Sequence, residues 1–327
     1  MLDLFEVHVV SVPMTMAFRG VLHREALLLR GPAGWGEFAP FLEYDDAESA
    51  RWLASALEAT QVGWPAPVRS SVPVNATVPA VAADQVSGVL ARFPGCTTAK
   101  VKVAQAGQEL RDDVDRVAAV RDVLGPSGRI RVDANGAWTL SDARWAVAAL
   151  SAFDLEYVEQ PCASVEDLAL LRIALARAGV EVLVAADESV RKADDPLRVA
   201  RAGAADVMVL KVAPLGGVRP ALAIAEQCGL PVVVSSALDT SVGISAGVAL
   251  AAALPALPYA CGLATTSLMA ADVVRESLDG HGGSIRAGQV EPDPELLDAL
   301  TAPPERWDWW LARLARCTAL LPADSSP

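Results

Sequence analysis

Histidine is scarce in this sequence. The three present, His8, His23 and His281, lie away from the ends of its apolar runs, so a histidine base has no evident place. Paired cysteines are missing as well. Cys96, Cys162, Cys228, Cys261 and Cys317 form no CxxC motif and are odd in number, which suggests neither a disulfide framework nor a zinc site and fits a reducing cytoplasm. Basic residues are outnumbered, 27 Lys and Arg against 40 Asp and Glu, and the net charge of −13 argues against nucleic acid or an anionic membrane as partner. A small anion is not excluded, because a local pocket can be basic on an acidic protein, and no obligate protein partner is suggested. No basic segment precedes an apolar stretch at the amino terminus, so MLDLFEVHVVSVPM reads as a strand rather than an export signal. One long stretch, between Asp239 and Asp272, carries no charge at all. Pro255 and Pro258 interrupt it, and Ala, Gly, Ser and Thr dominate it, so it reads as a buried helix followed by a strand rather than a membrane span.

What is abundant is apolar surface, 53% of 327 residues, enough to fill one barrel-sized core and a smaller partner. Five apolar runs each end on isolated charges: AKVKVA, RVDANG, YVEQP, VAADES and VLKVAP. From Lys102 the successive steps to Asp133, Glu159, Asp187 and Lys211 are 31, 26, 28 and 24 residues, about one strand, one helix and two loops. In a parallel barrel the carboxyl ends of all strands meet at one mouth, so these charges would converge.

From residue 72 onward, short β-branched runs alternate with amphipathic stretches. VNATVPA, AKVKVA, RIRVDAN, LEYVEQP, VLVAADE, DVMVLKV, PVVVSSA and YACGLA supply eight strands, which predicts an α/β fold, a modified (β/α)8 TIM barrel over 72–285. GQELRDDVDRVAAVRDVLG reads as a helix closed by Gly125, and LSDARWAVAALSAF as one capped by Ser141. Residues 1–71 differ: LFEVHVV, REALLLRG and GWGEFAP alternate like antiparallel strands, and the helix DDAESARWLASALEA follows, predicting an α+β capping domain. The segment 286–327 ends in the Trp-rich helix PPERWDWWLARLARCTALL, expected to return to that cap.

In AKVKVA, Lys100 and Lys102 share one face and Ala99, Val101 and Val103 the other. An isolated KVK would read as a half-exposed strand. In a parallel barrel, covered on both faces, the mouth is the place for both lysines. Asp133, Glu159 and Asp187 end three successive strands beside apolar neighbours. Three carboxylates gathered at low dielectric need a cation, and an oxygen-only donor set suits Mg2+, with Mn2+ possible. The alternative is an inert network in which each carboxylate pairs with a lysine. Lys211, on strand six, would lie across from strand two, so two lysine positions flank the cluster, and ammonium groups near a cation become bases nearer neutrality. Asn135, two residues after Asp133, reads as a group beside the ligands or as a strand-end turn.

The set KVK, DAN, EQP and DES with a single lysine on strand six resembles the enolase superfamily in its muconate-lactonising branch, where a lysine base works with magnesium. GWGEFAPF, VPVNATVPAV, KVAPLGGV, VVVSSALDTSVG and ACGLATTSLMAADV are similar to the compact o-succinylbenzoate synthases of that branch, from about residue 17 to 275. The resemblance implies loss of water from 2-succinyl-6-hydroxy-2,4-cyclohexadiene-1-carboxylate to give 2-succinylbenzoate in menaquinone biosynthesis. It implies a metal-stabilised enediolate at Asp133, Glu159 and Asp187, with Lys102 as the base that also protonates the departing hydroxyl. Lys211 would stabilise the intermediate from the other side by a cation–π contact, and Lys100 would tune Lys102. Ser235, Ser236 and Gly262 resemble positions that hold the succinyl carboxylate, although a serine pair at a strand end is also a common helix cap. The loops MTMAFRG and FAPFLEYDD are expected to close over the mouth. Arg19, the one basic side chain in them, reads as a substrate contact or a structural pair.

Two other readings stay open. The same constellation serves N-succinylamino acid racemases and dipeptide epimerases, with Lys102 and Lys211 as paired bases; against these, GLATTSL carries no acidic pair and the chain is short. A non-catalytic barrel scaffold whose charges are only structural is the third.

Overall fold

The computed structural model describes residues 5–18, 20–192 and 195–322. The chain opens with an antiparallel meander of β1 (Glu6–Phe18), β2 (Val21–Gly31) and β3 (Gly34–Phe38), in which Glu6 pairs with Arg30 and Leu27 with Phe38. The helix α1 (Asp46–Gln61) follows, its first turn acidic and its Asp45 cap accepting the Glu48 amide at 2.8 Å. Its Trp52, Leu53 and Ala56 bury against the sheet. At Gly36 the approach is so close that a Cβ would stand 2.3 Å from the Ala56 carbonyl oxygen.

Two short strands come next, β4 (Ser71–Pro73) and β5 (Ala76–Val78), then the short helix α2 (Val86–Leu90). The regular α/β part runs β6 (Thr98–Lys102), α3 (Leu110–Leu124), β7 (Arg129–Asp133), α4 (Leu140–Leu150), β8 (Leu155–Glu159), α5 (Val165–Arg177) and β9 (Leu183–Ala186). Two single-turn helices, α6 (Glu188–Arg191) and α7 (Arg198–Arg201), lead to β10 (Val207–Leu210), α8 (Val218–Cys228), β11 (Val232–Val234) and α9 (Ser241–Ala253). Strands β5 to β11 form one parallel sheet in sequence order. Parallel bridges from Cys261 to Val74 and from Gly262 to Ser235 join its two edges. The sheet therefore curls into a barrel. The chain ends with β12 (Ser284–Arg286), antiparallel to β4, then α10 (Pro294–Ala299) and α11 (Pro304–Thr318). Helix α11 lies on the meander: Trp310, fully buried, meets Phe38 edge-on at 5.8 Å, and Arg313 donates to the Tyr44 carbonyl at 2.6 Å and the Ser49 hydroxyl at 2.7 Å.

Three local expectations are corrected. Strand eight shrinks to the bridges at Cys261 and Gly262, whose amides donate to the Pro73 and Val234 carbonyls and whose carbonyls accept the Asn75 and Ser236 amides, which is enough to close the gap. Thr139, not Ser141, caps α4: its extended backbone aims the hydroxyl at the Asp142 amide, 3.2 Å away, while Ser141 is already inside the helix. Residues Met14–Phe18 of the supposed loop MTMAFRG belong to β1. The uncharged stretch does form the buried helix α9, and among the described residues no helix is long and apolar enough to cross a membrane.

Candidate active site at the barrel mouth

Alternation on the barrel strands sorts the inward side chains into two tiers. The lower tier is apolar: Tyr157, Ala185, Val207, Val209 and Val233 pack together with Tyr259. One charge sits among them, Arg131, fully buried, 4.8 Å from the Tyr157 ring and donating to Asn75 Oδ1 and the Ala260 carbonyl. The next inward residue on each strand belongs to the upper tier, and there the charges gather. Lys102 lies in register with Asp133, and Asp133 with Glu159. Asp187 follows two residues beyond Ala185, which is Glu159's own partner. Lys211 stands just past β10, beside Ser235.

All three carboxylates are buried, and each meets an ammonium group. Lys100 Nζ donates to Glu159 Oε1 at 2.9 Å and Oε2 at 3.1 Å and lies 3.6 Å from Asp133. Lys102 Nζ reaches Asp133 Oδ2 at 2.5 Å, and Lys211 Nζ reaches Asp187 Oδ2 at 2.7 Å. The side chains thus adopt the lysine–carboxylate pairing. Among the described residues, no three His, Cys, Asp or Glu side chains converge as a ready-made chelate.

The electrostatics show what this pairing leaves over. Burial, reinforced by the neighbouring Asp133 charge, pushes Glu159 up to about 7 despite Lys100. Burial works the same way on Asp133, but Lys102 and Lys100 outweigh it and hold that carboxyl well below its usual range. Asp187, also buried, is drawn down to about 2 by Lys211 and Arg191. The two lysines on β6 diverge. Burial opposes the charge on Lys100, yet Glu159 and Asp133 keep it above the ordinary ammonium range. Burial wins at Lys102, helped by Lys100 and opposed by Asp133, so this amine gives up its proton more readily than a free lysine. The donor set fits a hard divalent cation: three carboxylates, oxygen only, one of them raised well above the usual carboxylate range.

Above the tier opens a narrow cavity. Lys100, Lys102, Asp133, Asn135, Lys211, Ser235, Ser236 and Gly262 line it, with Thr77, Thr265, Leu238 and, from the cap, Phe41. Glu159 and Asp187 lie beneath this lining. Arg19 lies outside the described residues. Asn135 adopts a left-handed turn at φ 47°, its Oδ1 accepting from Lys102 at 2.7 Å and its Nδ2 donating to Glu188 at 3.1 Å. It is a turn residue and a neighbour of Lys102 at once. Ser236 spends its hydroxyl on the Gly262 carbonyl and Thr265, whereas Ser235 faces Gly262 so closely that a Cβ there would stand 2.7 Å from its Oγ.

Sequence reasoning missed several supports. Arg191 donates to Asp187 Oδ1 at 3.0 Å and Glu188 at 2.8 Å and reaches Tyr44 of the cap at 3.1 Å. The four-residue step from Asp187 on a helical turn could have signalled it. Gln160, inside the quoted EQP, accepts the Asp187 and Ser189 amides and donates to Ser189, locking the loop that carries Asp187. Arg24, Glu37 and Glu58, which join cap to barrel, left no local signal.

Residues 82–293 match the family model described as enolase C-terminal domain-like, and residues 9–60 the one described as enolase N-terminal domain-like. A protein of Thermobifida fusca named o-succinylbenzoate synthase is 56% identical over 309 residues, 94% of this chain and 95% of that protein. Relatives of the same name from Mycolicibacterium smegmatis and Mycobacterium leprae are 56% and 55% identical, over 98% and 96% of this chain and 97% and 92% of their own lengths. Among solved structures, muconate lactonizing enzyme from Pseudomonas fluorescens, complexed with muconolactone, superposes with a TM-score of 0.75 at 22% identity, over 91% of this chain and 98% of that one. A dipeptide epimerase from Enterococcus faecalis, complexed with Mg and a dipeptide, gives 0.74 at 21%, over 88% and 97%. At such identities the likeness is one of fold.

Proposed function

The chain belongs to the o-succinylbenzoate synthases of the enolase superfamily, and on that footing we propose how its barrel mouth converts 2-succinyl-6-hydroxy-2,4-cyclohexadiene-1-carboxylate to 2-succinylbenzoate, a step toward menaquinone. It is a carbon–oxygen lyase that removes water from a small carboxylate. Residues 72–285 supply the catalytic mouth, and 1–71 with 286–327 the cap.

Superfamily members generally use a divalent metal, and here Asp133, Glu159 and Asp187 would hold it, as Mg2+ or Mn2+. Bound there, the cation supplies positive charge against the substrate carboxylate and the negative charge that develops beside it. Lys102 takes the proton from the ring carbon next to that carboxylate. The same amine then returns this proton to the departing hydroxyl on the same face, so the C–O bond breaks, water leaves and the ring becomes aromatic. Lys211 stands across the cavity with its ammonium toward the ring. Lys100 keeps its proton, holds Glu159 and lowers the proton affinity of Lys102. Asn135 orients Lys102, and Ser235, with the close approach at Gly262, borders the space for the succinyl arm.

The observation that carries this reading is the divergence of the two lysines on β6, one held charged and the other eased toward neutrality, with both lining one cavity. Following the ultraviolet absorbance of the cyclohexadiene substrate with and without magnesium tests it. Cation-dependent conversion is expected. Turnover of N-succinyl amino acids faster than dehydration would favour the racemase reading instead.

A further inference from the structure

Arg24 is a cap residue, on β2, yet its guanidinium lies at the edge of the barrel mouth, 3% exposed. Its hydrogen bonds run to main-chain carbonyls on both sides of the seam. Nε donates to Leu238 at 2.9 Å and Nη2 to Ala237 at 3.3 Å, in the turn after β11. Nη2 also donates to Ala39, at the start of the cap segment that follows β3, and Nη1 to the adjacent Glu25 at 3.5 Å. The guanidinium carbon lies 4.6 Å from the centre of the Phe41 ring. Asp239, Glu37 and Glu43 are the carboxylates around it.

The two things Arg24 grips are two walls of the catalytic cavity. Phe41 is the cap's contribution to that cavity, and Ala237 and Leu238 form its rim beyond Ser235. Leu238 holds a left-handed φ of 62°, which a side chain with a Cβ adopts only when its surroundings impose it. The impositions are visible: Arg24 holds its carbonyl, and Asp239 Oδ2 accepts the Ala237 amide at 2.9 Å. Arg24 thus ties the carbonyls of this turn to Phe41, while Glu37 of the cap holds the next residue, Thr240.

We propose that Arg24 is a positioning residue that sets the shape of the substrate cavity from the cap, fixing Phe41 and the Ala237–Leu238 turn in one geometry and so selecting the part of the substrate that lies away from Lys102. This rests on the dehydration reading above. Arg24 touches neither lysine, so its loss weakens substrate binding much more than the chemical step.

The test is steady-state dehydration and calorimetric binding of the product, 2-succinylbenzoate, on full-length R24M, R24K, F41A and R24M/F41A. R24M is expected to raise KM about tenfold and to weaken product binding in parallel, with kcat within about threefold of wild type. R24K, which keeps the charge but loses the fork, shows a smaller rise of the same kind and carries the test if R24M does not fold. The double variant raises KM no further than its worse parent. A lower Tm with KM and product affinity unchanged overturns the proposal, as does a double variant whose effects multiply. Wild-type turnover is the separate check on the dehydration reading, because product binding reports on Arg24 even where turnover is absent.

Discussion

Two of the regions that bury carboxylates in this molecule hold them by different means. At the mouth, Asp133, Glu159 and Asp187 face ammonium groups on flexible stems. At the seam between meander and barrel, Glu37 of β3 accepts the Thr240 and Gly243 amides at 3.1 and 3.0 Å and the Thr240 hydroxyl at 2.6 Å, at the start of α9. Glu58 of α1 does likewise for α8, accepting the Val218 and Arg219 amides at 2.5 and 3.0 Å. Two barrel helices thus take their N-terminal partners from the cap, whose carboxyl oxygens accept amides that have no partner within the helix. Main-chain donors cannot leave, whereas lysine ammonium groups can turn away. The seam is built to stay shut; the mouth, on the proposed reading, would exchange one positive partner for another.

The largest effect that would break this contrast is at Lys102. K102A is expected to lower dehydration by roughly 10²–10⁴-fold, the usual share of a general acid or base, with the far-ultraviolet circular dichroism unchanged. Substantial residual turnover would remove Lys102 from the chemistry.

Next comes the exchange of partners itself. Magnesium at about a hundred times its dissociation constant stabilises a folded protein by about 2.7 kcal/mol, and D187N is expected to lose most of that gain in thermal melts with and without the cation. A variant that still responds like wild type would leave the mouth as a fixed ion network.

The seam answers to pH instead. Burial, with Asp239 close by, pushes Glu37 up to about 8 from an ordinary value near 4.5, so the folded chain holds this proton more tightly than the unfolded one. The stabilisation is therefore complete below about 4.5 and fades as pH rises through 8. Urea midpoints at pH 5.5 and 8.5 should show wild type losing stability relative to E37Q, which keeps an acceptor and cannot ionise. A constant difference between the two would show that Glu37 stays charged, held by the α9 amides alone.

The smallest effect lies far from both regions. T139A should cost about 1 kcal/mol in chemical denaturation and S141A within about 0.5, since only Thr139 caps α4.

How much of this was legible in the chain varies with the range of the contact. The α/β alternation, the helix closed by Gly125 and the inward face of Lys100 and Lys102 follow from periods of 3.6 and 2, which a sequence displays directly. The curated relatives and family models place the chain where its motifs pointed. Strand eight was overread because YACGLA has a strand's composition but needs only two bridges to close the ring. Arg24 and Glu37 were invisible: the first reads as one more polar residue on an alternating strand, the second as part of GWGEF. Their partners lie more than 200 residues away.

The sequence by itself determined that six charges would stand at strand ends, because one or two charges per α/β unit, combined with parallel strands, puts every such end at one mouth. Only the tertiary structure decided which lysine faces which carboxylate, and hence which amine sheds its proton more easily. That depends on the stagger of neighbouring strands and on how deeply each group is buried, neither of which is a property of any local stretch of chain. The same holds for Arg24, whose role exists only once the cap is seated on the barrel.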